Sequence, residues 1–266
     1  YLNAQAINVS VSAPSAAATT EAGGQVTFTV VLSAQPTADV VIPVSVSDTT
    51  EAAVSMSSLV FTAANWATPQ TVTVTGVNDN VDDGNIGYQV VLGVTASADP
   101  VWNGLNPADV SLSNTDDDTA GVTVGTISGT TTTEAGGAVR FTILLNSEPT
   151  ADVTVSFSSS DATEGSVSPA SITFTAANWN SPVTVTGTGV DDTIFDGNIP
   201  WTLVIGAATS ADTLYNGINP TDFALTNLDN EAPPASKFYV VDDATVDRTF
   251  EYDSAGVPIE NYAINS

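Results

Sequence analysis

The only chemistry this chain concentrates is that of carboxylate oxygen. Asn114-Thr115-Asp116-Asp117-Asp118 sets three acids side by side, and Asn227-Leu228-Asp229-Asn230-Glu231 repeats the position 113 residues later. Two like charges about 5 Å apart repel by roughly 3 kcal/mol at an effective dielectric near 20. A hard cation between them removes that cost. Further acids recur at matching places: Glu21, Asp48 and the loop Asn78-Asp79-Asn80-Val81-Asp82-Asp83-Gly84 in the first half, and Glu134, Asp161 and Asp191-Asp192-Thr193-Ile194-Phe195-Asp196-Gly197 in the second. The chain has no Cys and no His, which removes thiol nucleophiles, imidazole bases, disulfides and the usual zinc and copper sites. Any metal must therefore be held by oxygen, and loops scattered along a chain suit the tolerant coordination of calcium better than rigid octahedral magnesium.

Catalysis is the weaker use of the same residues. Asp79 and Asp83 could pair as the acid and base of a glycosidase, but that chemistry needs a fixed separation and one raised pKa. No motif marks a cleft for it, so the chain reads as a non-enzyme. Trp66 and Trp179 occupy equivalent places, Trp102 matches Tyr215 and Trp201 matches Tyr88. Exposed, such rings would stack on sugars; repeated through both halves, they read first as packing. Arg140, within a strand-like run, is expected to face solvent or pair with an acid.

Those acids need a scaffold, and the repeat supplies it. At a shift of 113 residues the halves align without a gap: Thr19-Thr20-Glu21-Ala22-Gly23-Gly24 falls on Thr132-Thr133-Glu134-Ala135-Gly136-Gly137, and Phe61-Thr62-Ala63-Ala64-Asn65-Trp66 repeats as Phe174 to Trp179. A gapless repeat of this size means tandem domains, at about 8–120 and 121–233. Within each, apolar residues recur every second position, as in Val26, Phe28, Val30 and Leu32, so the elements are strands. Seven are expected in the first module, near 7–12, 26–32, 39–47, 58–62, 69–78, 87–95 and 108–114. That count in about 110 residues points to an antiparallel β-sandwich, whose loops gather at the two ends of the sheets. Residues 1–7 read as an N-terminal strand or the end of a preceding segment. Residues 234–266 read as two strands with turns, a C-terminal β extension or the start of a further domain.

Charge narrows the partners. Thirty acids stand against three bases, for a formal net charge of -27. A chain so acidic repels nucleic acid and anionic membrane surfaces alike. No run of about 20 apolar residues is present to span a bilayer. Hydrophobic residues still make up 42%, enough for each half to bury a core. The opening at Tyr1, without Met or a signal-peptide pattern, reads as a processed product or a fragment.

The combination of Thr-Thr-Glu-Ala-Gly-Gly, Phe-Thr-Ala-Ala-Asn-Trp, an acidic Asp-Gly loop and a closing Asn-x-Asp-Asp-Asp resembles the Calx-beta module, particularly its tandem bacterial forms in large secreted or surface proteins. The resemblance covers nearly all of residues 8–233. It implies a seven-stranded Ig-like sandwich that binds Ca2+ at one end. Carried onto matching positions, it implies Glu21, Asp48, Asp79, Asp83, Asp116, Asp117 and Asp118 as ligands in the first module, and Glu134, Asp161, Asp191, Asp192, Asp196 and Asp229 in the second. Two departures stand out: the acidic loop of the first module is sparse, and Asn230 and Glu231 replace two Asp of the closing triplet. The expected function is structural and adhesive, a semi-rigid stalk or surface layer outside a bacterial cell. Two alternatives remain open: a fibre subunit that donates a strand to its neighbour, and a carbohydrate-binding accessory module of a secreted enzyme. The expected partners are calcium ions, with copies of the chain, other surface proteins and glycans as further candidates.

Overall fold

The computed structural model describes residues 6–233 and, beyond them, three strands at 238–241, 248–252 and 258–263. The first sandwich comprises β1 (Val9–Val11), β2 (Ala18–Thr20), β3 (Gln25–Leu32), β4 (Val40–Val46), β5 (Ala52–Val54), β6 (Ser58–Phe61), β7 (Gln70–Gly76), β8 (Ile86–Leu92), β9 (Ala96–Ser97) and β10 (Val110–Thr115). The second repeats them as β11 (Val122–Val124), β12 (Thr131–Thr133), β13 (Ala138–Leu145), β14 (Val153–Ser159), β15 (Gly165–Ser168), β16 (Ser171–Phe174), β17 (Val183–Gly189), β18 (Ile199–Ile205), β19 (Thr209–Ser210) and β20 (Phe223–Leu228). The seven expected strands of the first module correspond to β1, β3, β4, β6, β7, β8 and β10. The three additional segments, β2, β5 and β9, are only two or three residues long. Segments that short carry too few side chains to show a period.

Each sandwich pairs a sheet ordered β1-β3-β7-β5 with one ordered β2-β10-β8-β4-β6, or the equivalent strands of the second module. Alternation places the core between them. Along β3, Val26, Phe28, Val30 and Leu32 are all buried, and Val139, Phe141, Ile143 and Leu145 repeat this on β13. Each such side chain contributes roughly 1.5–3 kcal/mol when fully withdrawn from water. The aromatics join these cores: Trp102 and Tyr215 are buried, as are Tyr88 and Trp201, while Trp66 and Trp179 pack half-buried against the cores. Arg140 lies exposed on β13.

Beyond the sandwiches, β21 (Phe238–Val241), β22 (Arg248–Tyr252) and β23 (Pro258–Ala263) form an antiparallel sheet of three strands, one more than the two expected. The segment expected to open the chain at 1–7 lies almost wholly outside the described residues; Ile7 packs against the first core.

Candidate metal centre

One parallel pairing decides where the acids meet. β2 runs parallel to β10, with Thr19 opposite Asn114 and Thr20 opposite Thr115. Two parallel strands end on the same side, so the residues that follow, Glu21 and Asp116, emerge together although 95 positions separate them in sequence. The Glu21 N–H donates to the Thr115 carbonyl at 3.0 Å. On the same rim β5 pairs with the end of β7, Ala52 opposite Gly76, and Ile86 of β8 pairs with Asn114. That brings Glu51 and the acidic loop to the same pole.

Buried polar side chains fasten this rim. The Thr19 hydroxyl donates to Asn114 Oδ1 at 2.9 Å, and the Asn114 amide donates to the Val77 carbonyl at 2.9 Å and to Glu51 Oε2 at 3.5 Å. Thr132, Asn227, Val190 and Glu164 repeat the arrangement. Gly76 is the residue this packing demands. A Cβ there would stand 2.1 Å from the Thr20 carbonyl oxygen and 2.5 Å from Asn114 Oδ1, and Gly189 meets the same two groups of its own module.

The result is two carboxylate trios at each pole: Glu21 with Asp116 and Asp118, and Glu51 with Asp79 and Asp83, then Glu134 with Asp229 and Glu231, and Glu164 with Asp192 and Asp196. Within each trio the facing oxygens lie within 4.8 Å of one another. Glu21, Glu51, Glu134 and Glu164 are all buried, at 3 to 5% exposure. Main-chain donors shape the loops around them. The Asp118 N–H donates to Asp116 Oδ1 and the Gly84 N–H to Asp116 Oδ2, both at 2.7 Å, and Glu231 and Gly197 treat Asp229 alike. Gly84 and Gly197 do so with φ of 76° and 81°, left-handed values that suit glycine.

Burial at the poles runs against ionisation, although at Asp229 it is outweighed by the N–H groups of Glu231 and Gly197, which hold that acid below the usual carboxylate range. Burial, reinforced by Asp79, Asp116 and Asp118, pushes Glu21 up to about 7. Burial also raises Glu51, Asp83, Asp118, Glu164 and Asp196, with neighbouring carboxylates adding to it. In the second module Glu231 is pushed up to about 7, first by its hydrogen bond to Glu134 and then by burial. Its Oε2 is buried without a hydrogen-bond partner. The nearest groups, Glu134 and Asp229, are themselves acceptors, so only a shared proton or a cation satisfies that oxygen. Among the described residues, neighbouring acids and hydrogen bonds rather than a lysine or arginine set the charge state of these groups. An all-oxygen set with buried carboxylates and an orphaned acceptor fits a hard divalent ion.

Of the residues expected as ligands, the structure brings Glu21, Asp79, Asp83, Asp116 and Asp118 together in the first module, and Glu134, Asp192, Asp196 and Asp229 in the second. It leaves four outside the trios. Asp48 and Asp161 cap turns: the N–H of Thr50 donates to Asp48 Oδ1, and that of Thr163 to Asp161 Oδ1, both at 3.0 Å. These bonds, led by those from the threonine hydroxyls, hold both acids below the usual carboxylate range. Asp117 is exposed and contributes its N–H to Glu21 Oε2 at 3.3 Å. Asp191, also exposed, accepts from the Asn230 amide at 3.0 Å. Three members of the trios were not among the expected ligands. Glu231 takes the place of Asp118. Glu51 and Glu164 match each other at the shift of 113, each three residues after the turn-capping Asp; that agreement between the halves was the signal available to find them.

The acidic loop of the first module also reaches the second. Between the closing triplet and β11 lie few residues, and one of them, Ala120, packs against the second core. Its N–H donates to Asp82 Oδ2 at 2.7 Å, and the Glu148 N–H donates to the Asn80 carbonyl at 2.6 Å.

No family model matches the sequence, and no curated protein matches it. Solved structures that overlap it include CBD12 from CALX1.2 (13% identity, 79% of this chain and 96% of that chain, TM-score 0.34) and the calcium binding domain CBD12 of CALX1.1 (15%, 72% and 77%, 0.32). Domains 4 and 5 of the S-layer protein SbsC also overlap it (10%, 84% and 98%, 0.29). Overlaps this loose carry no argument about ion or partner. On its own strand pairing and side chains, the chain is an all-β protein of two tandem sandwiches with acidic groups placed so that they could hold metal ions.

Proposed function

We propose that this chain is a calcium-binding structural segment, its two sandwiches forming a semi-rigid extracellular stalk or surface layer with no catalytic role. The observation that carries the reading is the pair of trios at each pole, each built round a buried glutamate. Glu21, Asp116 and Asp118 would hold one ion and Glu51, Asp79 and Asp83 another, with the equivalent residues doing so in the second module. The ion supplies positive charge that offsets the carboxylate repulsion, so binding energy becomes folding energy. Millimolar calcium outside cells fills even sites of modest affinity, which favours an extracellular setting.

The test is thermal melting with calcium or with chelator, alongside calorimetric titration. A ligand at about 100 times its Kd stabilises the folded state by roughly 2.7 kcal/mol, or about 10 °C in Tm for a domain of this size. Glu51→Gln should weaken calcium binding about tenfold, while Asp48→Asn should change it little. Identical melting curves in calcium and in chelator would end the proposal.

A further inference from the structure

Each half of the contact between the sandwiches has a counterpart in the other module that is in no such contact among the described residues. Asp82, Asp83 and Gly84 at the tip of the first module face Thr150, Ala211 and Leu214 at the base of the second, across a cleft of about 530 Å³. The Glu148 N–H closes one side on the Asn80 carbonyl. At the shift of 113, the second module carries a tip of its own and the first a base of its own. Val81 and Asp82 are half-buried, whereas their counterparts Ile194 and Phe195 are 62% and 46% exposed. Glu148 is half-buried, whereas its counterpart Gln35 is exposed. Val101 is 55% exposed and its counterpart Leu214 50%, so the two bases present the same open apolar position. The two bases are built alike: the Thr37 N–H donates to Asp99 Oδ2 at 2.8 Å, and the Thr150 N–H to Asp212 Oδ2 at 2.9 Å.

We propose that the tip of the second sandwich, residues 193–196, docks on the base of the first sandwich, residues 35–37 and 98–101, of a second copy of this chain. The contact within the chain is thereby repeated head to tail between chains. The occupant follows from the repeat, because among the described residues that base is the surface built like the partner the first tip already uses. The substitutions at the tip follow from the missing tether. Inside the chain a short linker holds tip and base at a high effective concentration, so a small polar contact suffices. Between chains the contact must supply its own affinity, and Ile194-Phe195 in place of Val81-Asp82 adds apolar surface and removes one charge from a chain of net charge -27. A tip meeting a base is a heterologous contact, which propagates as an open row unless its rotation closes. This goes beyond the ion-binding reading, since Ile194 and Phe195 belong to no carboxylate trio.

Sedimentation velocity of the full chain from micromolar to millimolar, in calcium and again in chelator, tests it. The average mass should rise above 27.1 kDa with concentration and continue past the dimer. Replacing the tip by its first-module counterpart (Ile194→Val with Phe195→Asp), or altering the base by Val101→Glu, should each weaken association at least tenfold. Near-ultraviolet circular dichroism should show both variants folded. Mixed in equal amounts, the two variants should form dimers and stop there, because one intact tip and one intact base remain between them. A wild-type chain at single-chain mass throughout overturns the proposal, and so does association that survives both substitutions or a mixture that grows beyond dimers. Calcium binding is read separately by calorimetry, so a failure of that reading leaves this result standing on its own.

Discussion

A buried carboxylate facing other carboxylates has to lose its charge or gain a cation. Glu21 shows the first option, its pKa pushed up to about 7 by burial and by Asp79, Asp116 and Asp118. Its folded pKa lies above the ordinary glutamate value of 4.5, so the folded state without metal binds the extra proton. That contribution is fully present below pH 4.5 and is lost as pH rises through about 7. Glu231 acts in the same sense through its hydrogen bond to Glu134. The metal-free chain should therefore melt at a lower temperature at pH 8 than at pH 5.5, with Glu21→Gln reducing the difference; saturating calcium should reverse the trend. Melting scans across pH in chelator check this, and a flat profile would show these acids to be well solvated. Which acids are present was legible in the sequence, but their state was not. Asp48 and Glu51 stand three residues apart, yet one caps a turn with lowered pKa and the other is buried with raised pKa.

At the scale of elements, the short strand β2 decides the site. It is three residues long and shows no period of its own, but its parallel pairing with β10 places Glu21 beside Asp116. Gly76 and Asn114 hold it there. Gly76→Ala would drive a Cβ against the Thr20 carbonyl, and overpacking of this kind costs about 1–3 kcal/mol. The expected outcome is a lower Tm for the first module together with weaker calcium binding there, read by calorimetry beside an unchanged second module. An alanine tolerated without loss of either would separate β2 from the site. The long strands were legible because alternation of Val, Ile, Leu and Phe survives over seven or eight residues, as in β3 and β13. β2, β5 and β9 were not, because they are two or three residues long and fixed by partners distant in sequence.

For the whole molecule, the consequence of the proposed ion binding is stiffness. Asp82 and Asn80 tie the acidic loop of the first module to the linker and to the second module. That loop also carries Asp79 and Asp83 of a trio, so an ion bound there would be coupled to the angle between modules through one segment. Small-angle scattering should show a narrower range of shapes in calcium than in chelator. Asp82→Ala, which removes the acceptor for the Ala120 N–H, should broaden that range in calcium while leaving the affinity within about twofold. Scattering profiles that superpose under both conditions would show the linkage to be rigid without metal.

The sequence alone determined that this is an acidic, all-β chain of two like modules without thiol or imidazole chemistry, since composition and period are local properties that read directly from residue order. The tertiary structure alone decided which acids converge. Glu21 and Asp116 become neighbours through parallel pairing of the first and last parts of one sandwich, and Glu51 joins Asp79 and Asp83 through pairing of β5 with β7. Register between distant strands is set by the packing of the whole sandwich, and no short window of residues contains it.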